Sequence, residues 1–158
     1  FEFLEIIDAA INNSSSAFID SKVEVQRDCD PRLERLSISG DPYLLELAVR
    51  AIFENAIEAT NKRGKIKLEV SVHSPGGMPA GLRLLVSDNG IGIAASNLAK
   101  VMLPFFSTKT DHVGLGLCMA SRFIEMHGGN LKIKSSMEKG TDVFVFLPLK
   151  GNVQDACR

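Results

Sequence analysis

At 158 residues, with 18 basic and 19 acidic side chains and a net charge of −1, the chain is one domain of ordinary size with no electrostatic pull toward nucleic acid or an anionic membrane. Hydrophobic residues make up 45%, enough for a real core, yet no apolar run is long enough to span a bilayer and no signal peptide is present. Cys29, Cys118 and Cys157 lack close spacing and His73, His112 and His127 are scattered, so reduced thiols in a cytosolic compartment are expected in place of a disulfide framework or a zinc site.

The chain starts at Phe1 inside a helical pattern, which reads as a piece of a longer protein. Phe3, Ile6, Ile7, Ala10 and Ile11 recur at helical spacing. Residues 22–26 alternate like a strand, Asp28-Cys29-Asp30-Pro31 reads as a turn, and residues 36–39 form a short extended piece before Gly40. Asp41-Pro42 opens a helix: the carboxylate caps free N–H groups and proline suits the first helical position. That helix is expected to reach about residue 60, with Leu44, Leu45, Ala48, Ala51, Ile52 and Ala59 near one face. Asn55 is a polar residue in this apolar stripe.

Residues 65–73 alternate as a half-buried strand, and a Pro- and Gly-rich connection over 75–81 leads to a second strand over 82–87. A helix is expected over 94–102, while 103–113 shows no periodicity. Residues 115–127 read as a helix ended by Gly128-Gly129. Two alternating strands, 130–136 and 142–149, are joined by Glu138-Lys139-Gly140, and 151–158 reads as a tail beyond a single domain over 1–150. The order implies an α+β two-layer sandwich: a mixed, mostly antiparallel sheet covered on one face by helices.

Asp88-Asn89-Gly90-Ile91-Gly92 follows a strand directly, so a carboxylate stands at a strand end before two glycines that permit positive φ and close ligand approach. A carboxylate accepts hydrogen bonds only, which suits an exocyclic amino group such as that of adenine; the plain alternative is an Asx turn. Gly114-Leu115-Gly116-Leu117 opens a helix, where free N–H groups would meet a phosphate, unless it is a glycine-rich loop with no ligand. Asn55 offers a neutral oxygen suited to Mg2+ beside phosphates, or else a helix-to-loop hydrogen bond. Lys109 can hold a terminal phosphate or be a solvated loop lysine. Glu54 and Glu58 read most simply as solvated helix carboxylates, and Phe105 and Phe106 as loop anchor and core. No Walker pattern and no Ser/His/Asp or Cys/His arrangement is visible.

Glu54-Asn55-Ala56-Ile57-Glu58-Ala59-Thr60, Asp88 to Ile93, Pro104-Phe105-Phe106-Ser107-Thr108-Lys109, Gly114-Leu115-Gly116-Leu117 and Gly140-Thr141 occur in that order over nearly the whole chain. Together they resemble the ATP-binding catalytic domain of sensor histidine kinases, in the superfamily that includes gyrase and MutL. The resemblance implies a Bergerat fold that binds ATP and Mg2+. It places Asn55 on the metal, Asp88 on the adenine amino group, Gly90 and Gly92 around the base, and Thr141 nearby on the strand side. Phe106, Lys109, Gly114, Leu115, Gly116 and Leu117 would complete the nucleotide set, with Glu54 and Lys109 as catalytic candidates. A lid over roughly 107–113 would be short, and Phe-Phe-Ser-Thr-Lys looks most like nitrogen-regulation-type kinases.

Three positions depart from the family pattern: His112 stands where a glycine is common, Ala51 where many kinases carry Asn, and Glu58 where they carry Lys. The missing lysine leaves phosphate neutralisation to Lys109, Arg50, Lys62 or Arg63. The phosphoacceptor histidine would lie on an upstream dimerisation domain, with a response regulator receiver domain served indirectly. No nucleic-acid or direct membrane contact is expected, and the location is cytoplasmic, with a parent protein either membrane-anchored or not. Two other readings stay open at this point: a degenerate nucleotide-binding regulatory module, and a serine-directed kinase of the same superfamily.

Overall fold

The computed structural model describes residues 1–14, 21–35, 37–73, 81–107 and 114–149. The described helices are α1 (Phe3–Asn13), α2 (Pro42–Ala59), the four-residue α3 (Ala95–Leu98) and α4 (Gly116–Met126). The strands are β1 (Lys22–Cys29), β2 (Arg63–His73), β3 (Gly81–Asp88), β4 (Asn130–Ser136) and β5 (Gly140–Pro148), and a 3-10 turn spans Pro31–Arg35. They form one sheet in the order β1-β2-β3-β5-β4.

β1 and β2 run parallel, because the chain returns between them through α2, and a parallel pair needs such a crossover. The other pairings are antiparallel. β1 reaches Cys29, so Asp28 and Cys29 sit in the ladder opposite Glu69 and Val70 and the expected turn begins only after them. The expected helix over 94–102 shrinks to the four residues of α3, none of them buried, because no apolar face there packs on the core.

α2 starts where its sequence says it should. The Asp41 carboxylate accepts hydrogen bonds from Tyr43 N (2.9 Å) and Leu44 N (3.2 Å), and Pro42 takes the first turn. Such a cap is worth about 1 kcal/mol. One face of α2 then buries Leu45, Ala48, Val49, Ile52, Phe53, Ala56 and Ile57. Each larger side chain among these contributes about 2 kcal/mol. Opposing them are Ile66, Leu68 and Val70 of β2, Leu82, Leu84 and Val86 of β3, and Val143, Val145 and Leu147 of β5. The strict alternation along β3 and β5 puts every second residue on this face. Phe3, Ile6, Ile7 and Ala10 of α1 and Ala120 and Ile124 of α4 extend the same core.

The start of α2 is tied to the end of α4 by a histidine. His127 is buried; its Nε2 accepts a hydrogen bond from Asp41 N at 2.9 Å, and its Nδ1 lies 2.7 Å from Phe123 O. The backbone N–H can only donate, so Nε2 is bare and Nδ1 carries the proton given to Phe123. A Cβ on Gly40 would stand 2.1 Å from the imidazole Cδ2, so only glycine lets the ring lie there.

Candidate nucleotide-binding site

A cleft of about 510 Å3 opens between α2, the turn after β3, α3, the backbone at Phe106 and Ser107, and the start of α4. Its size suits a small-molecule site. Asn55 and Glu54 come from α2, Asp88 from the end of β3, Gly116 from α4 and Thr141 from β5, and all line it.

At one end the walls are fixed by backbone. Asp88 is buried and pairs across the ladders with Ile66 on β2 and Thr141 on β5. Its Oδ1 accepts a hydrogen bond from Gly90 N at 2.8 Å, so the Asx turn is real and coexists with the carboxylate's place in the cleft. Gly92 has φ +70, and a Cβ there would meet Ser136 O at 2.0 Å. Gly90 is needed for a different reason: its φ is not positive, but a Cβ would meet Ala59 O at 2.3 Å, so the turn packs directly on the end of α2. Gly92 lines the cleft; Gly90 supports it from behind. Gly140, with φ +94, brings the β4–β5 hairpin against Asp88, whose carbonyl oxygen would lie 1.9 Å from a Cβ. Ile91, Ile93, Val101, Met137 and Val143 make this end apolar. A flat base fits such walls, with Asp88 as a polar anchor.

At the other end α4 begins bare. Leu115 is its N-cap residue and offers no side-chain cap, so the first N–H groups have no intrahelical partner. Gly114, at φ +74, lies against the Phe106 carbonyl, and Phe106 itself lines the cleft. A Cβ on Gly116 would meet nothing closer than Asn55 Nδ2 at 3.6 Å and Ala51 Cβ at 3.9 Å. The glycine therefore leaves room between the helix start and the Asn55 amide, which makes no hydrogen bond among the described residues. Leu117 lines the cleft as well.

Among the described residues no group of three or more His, Cys, Asp or Glu stands where it could hold a metal ion. A single neutral amide beside an open helix start instead fits Mg2+ carried in on phosphate oxygens, which supply most of its ligands. Burial pushes the Glu54 carboxyl above the ordinary carboxylate range; Arg50, 3.9 Å away, pulls the other way and Glu58 adds to the rise. Lys109 and His112 lie outside the described residues, as do most of the expected lid and the tail over 151–158.

Ser135 was not singled out by the sequence, yet it holds two of the lining residues. Its Oγ accepts from Ile93 N at 2.8 Å and lies 2.9 Å from Gly140 O and 2.8 Å from Thr141 Oγ1. Asn97, Val101 and Met137 also escaped the sequence reading because they carry no spacing signal.

The family model for histidine kinase-, DNA gyrase B- and HSP90-like ATPases matches residues 40–151. Sensor histidine kinase ZraS of Salmonella typhimurium is 31% identical over 151 residues, which cover 96% of this chain and 31% of ZraS. Sporulation kinase B of Bacillus subtilis is 32% identical over 146 residues, 90% of this chain and 32% of that kinase. The chain thus spans about a third of the length of these curated relatives. Among solved structures, the catalytic domain of histidine kinase ThkA superposes with a TM-score of 0.78 at 27% identity, covering 94% of this chain and 93% of that one. The mycobacterial sensor histidine kinase MprB shares the fold, with a TM-score of 0.78 at 22% identity over 96% of this chain.

Proposed function

Since the chain belongs to the histidine kinase-, DNA gyrase B- and HSP90-like ATPase family, we propose that residues 1–150 are the ATP-binding catalytic domain of a sensor histidine kinase, followed by a tail. The observation that carries this reading is one cleft that gathers Asp88, Asn55 and the bare start of α4 from three separate elements. Asp88 accepts a hydrogen bond from the adenine amino group while Gly92 and Thr141 shape the base pocket. The backbone N–H groups at Gly114 to Leu117 face the phosphates, and Phe106 closes the side of the cleft.

Asn55 would hold Mg2+, which when bound spreads the negative charge of the phosphates. Lys109 neutralises the terminal phosphate, since Glu58 stands where many relatives carry a lysine. Glu54, held toward its neutral form by burial, is the group able to keep or pass a proton beside it. Transfer to a side chain is favoured over hydrolysis because Ala51 occupies the helix position of a hydrolytic glutamate. The bond between the terminal phosphorus and its bridging oxygen breaks as a phosphorus–nitrogen bond forms to a histidine of an upstream dimerisation domain. The phosphoryl group then passes to an aspartate of a response regulator receiver domain. Such transfer asks the protein mostly for positioning and charge neutralisation. Among the described residues no helix is long and apolar enough to cross a membrane. A cytoplasmic placement for this part goes with the kinase reading. The Phe-Phe-Ser-Thr-Lys stretch supports a nitrogen-regulation-type kinase with a short lid.

Calorimetric titration tests the site. The protein should bind ATP in the presence of Mg2+, and Asp88→Asn should weaken binding by about tenfold or more, the worth of a hydrogen bond to a charged group. Absence of binding, or an Asp88→Asn variant no weaker than the parent, rejects the reading. With the native upstream segment restored, labelled ATP should yield an acid-labile phosphohistidine; an acid-stable phosphoserine would reassign the acceptor.

A further inference from the structure

Proton accounting around Ser135 assigns it a role beyond packing. Three groups surround its Oγ: Ile93 N at 2.8 Å, Gly140 O at 2.9 Å and Thr141 Oγ1 at 2.8 Å. The Ile93 N–H brings its own proton, so the serine accepts there. The Gly140 carbonyl has none to give, so the serine's single proton goes to it. The contact between the two hydroxyls then needs a proton from Thr141. The reverse assignment, serine donating to threonine, would leave Ser135 and the Gly140 carbonyl as two bare oxygens in contact. Only one arrangement satisfies every short contact: Thr141 donates to Ser135, and Ser135 donates to Gly140.

Thr141 lines the cleft and is buried; Ser135 does not line it. Once its proton is committed to Ser135, the Thr141 hydroxyl has only lone pairs left to offer the cleft. Its strand neighbour across the ladder is Asp88, whose carboxylate oxygen already accepts from Gly90 N and offers the cleft further lone pairs. The base end of the cleft therefore presents acceptors and no donor from this pair. We propose that Ser135 is a specificity-determining positioning residue: by taking the Thr141 proton and pinning Ile93, it makes the pocket select a purine bearing an amino group at C6 over one bearing a carbonyl there. A 6-amino group, or a water held by it, can donate to both acceptors. A 6-oxo group would face them lone pair to lone pair.

This inference rests on the nucleotide reading above and deepens it. The test is the ratio of affinities for ATP and inosine triphosphate, which differ at this edge of the base, measured with Mg2+ by calorimetry on the whole chain. The parent should prefer ATP. In Ser135→Ala the Thr141 proton is released to the cleft, and the preference should fall about fivefold, the worth of one neutral hydrogen bond. Ser135→Thr keeps the hydroxyl and should keep the preference. Thr141→Val removes the acceptor and should lower the preference as Ser135→Ala does, with no further fall in the double variant. A serine that only props up the loop would weaken both nucleotides equally. An equal loss, or an unmoved ratio in Ser135→Ala or in Thr141→Val, overturns the proposal. Should Ser135→Ala fail to give a cooperative thermal transition, Thr141→Val and Ser135→Thr decide the matter. A parent chain that binds neither nucleotide sinks the site reading and this inference together. One that binds both, with ratios that ignore residues 135 and 141, sinks only this inference.

Discussion

The two ends of the cleft are built on different physics. The end proposed for the base is made of ladder partners and close backbone contacts: Asp88 against Thr141, Gly140 against the Asp88 carbonyl, Gly92 against Ser136. The end proposed for the phosphates is made of things left out: a helix without a side-chain cap, a glycine with space above it, an amide with no hydrogen bond among the described residues. At the first end recognition and stability share the same contacts. At the second they separate, so binding can be altered there with little effect on folding.

Gly140→Ala should have the largest effect. Its φ of +94 disfavours any L side chain, and the new Cβ would stand 1.9 Å from the Asp88 carbonyl oxygen, which cannot swing away. A loss of about 3 kcal/mol in urea unfolding is expected, with nucleotide affinity falling alongside. A variant as stable as the parent would show that the hairpin yields and that the base end is softer than its contacts imply.

Gly116→Ala is the matched change at the other end. Its Cβ meets only ordinary contacts at 3.6 and 3.9 Å, and the backbone is not left-handed. Stability should hold or rise by about 0.5 kcal/mol from reduced freedom of the unfolded chain. Affinity for ATP should still fall about tenfold, because the methyl group enters the space beside Asn55. Loss of stability and affinity together would erase the contrast between the two ends.

The smallest expected effect comes from Glu54. Its carboxyl is raised by burial, so the folded state holds the neutral form more readily than the unfolded chain does. Stability from this group is present below the ordinary carboxylate range of about 4 to 4.5 and is lost as pH rises through the raised value. Glu54→Gln should flatten that decline. With the side chain 34% exposed, the difference should stay below about 1 kcal/mol in denaturation midpoints compared across pH. A Glu54→Gln curve that declines as steeply as the parent's would mean that Arg50 offsets burial.

Legibility from sequence divides between local facts and those that another element supplies. α2 was readable from Asp41-Pro42 and its apolar period, because a cap and a stripe are local facts. Gly92, Gly114 and the bare start of α4 were readable because glycine spacing is also local. The need for Gly90 was visible, but its reason was not: it depends on the Ala59 carbonyl, which arrives from another element. Ser135 left no trace at all, since its role exists only through the β4–β5 register that sets it opposite Thr141. α3 was overdrawn because a few apolar residues over 94–102 resemble a helical face until one asks what that face would cover.

His127 joins the end of α4 to the start of α2, while Gly116 at the opposite end of α4 faces Asn55 late in α2. The two helices are thus tied at one end by an imidazole and parted at the other by a glycine, with the buried Ala120 and Ile124 of α4 packed in between. Eleven residues of helix put roughly 16 Å between the tie and the opening, so loosening the imidazole would be felt a full helix length away.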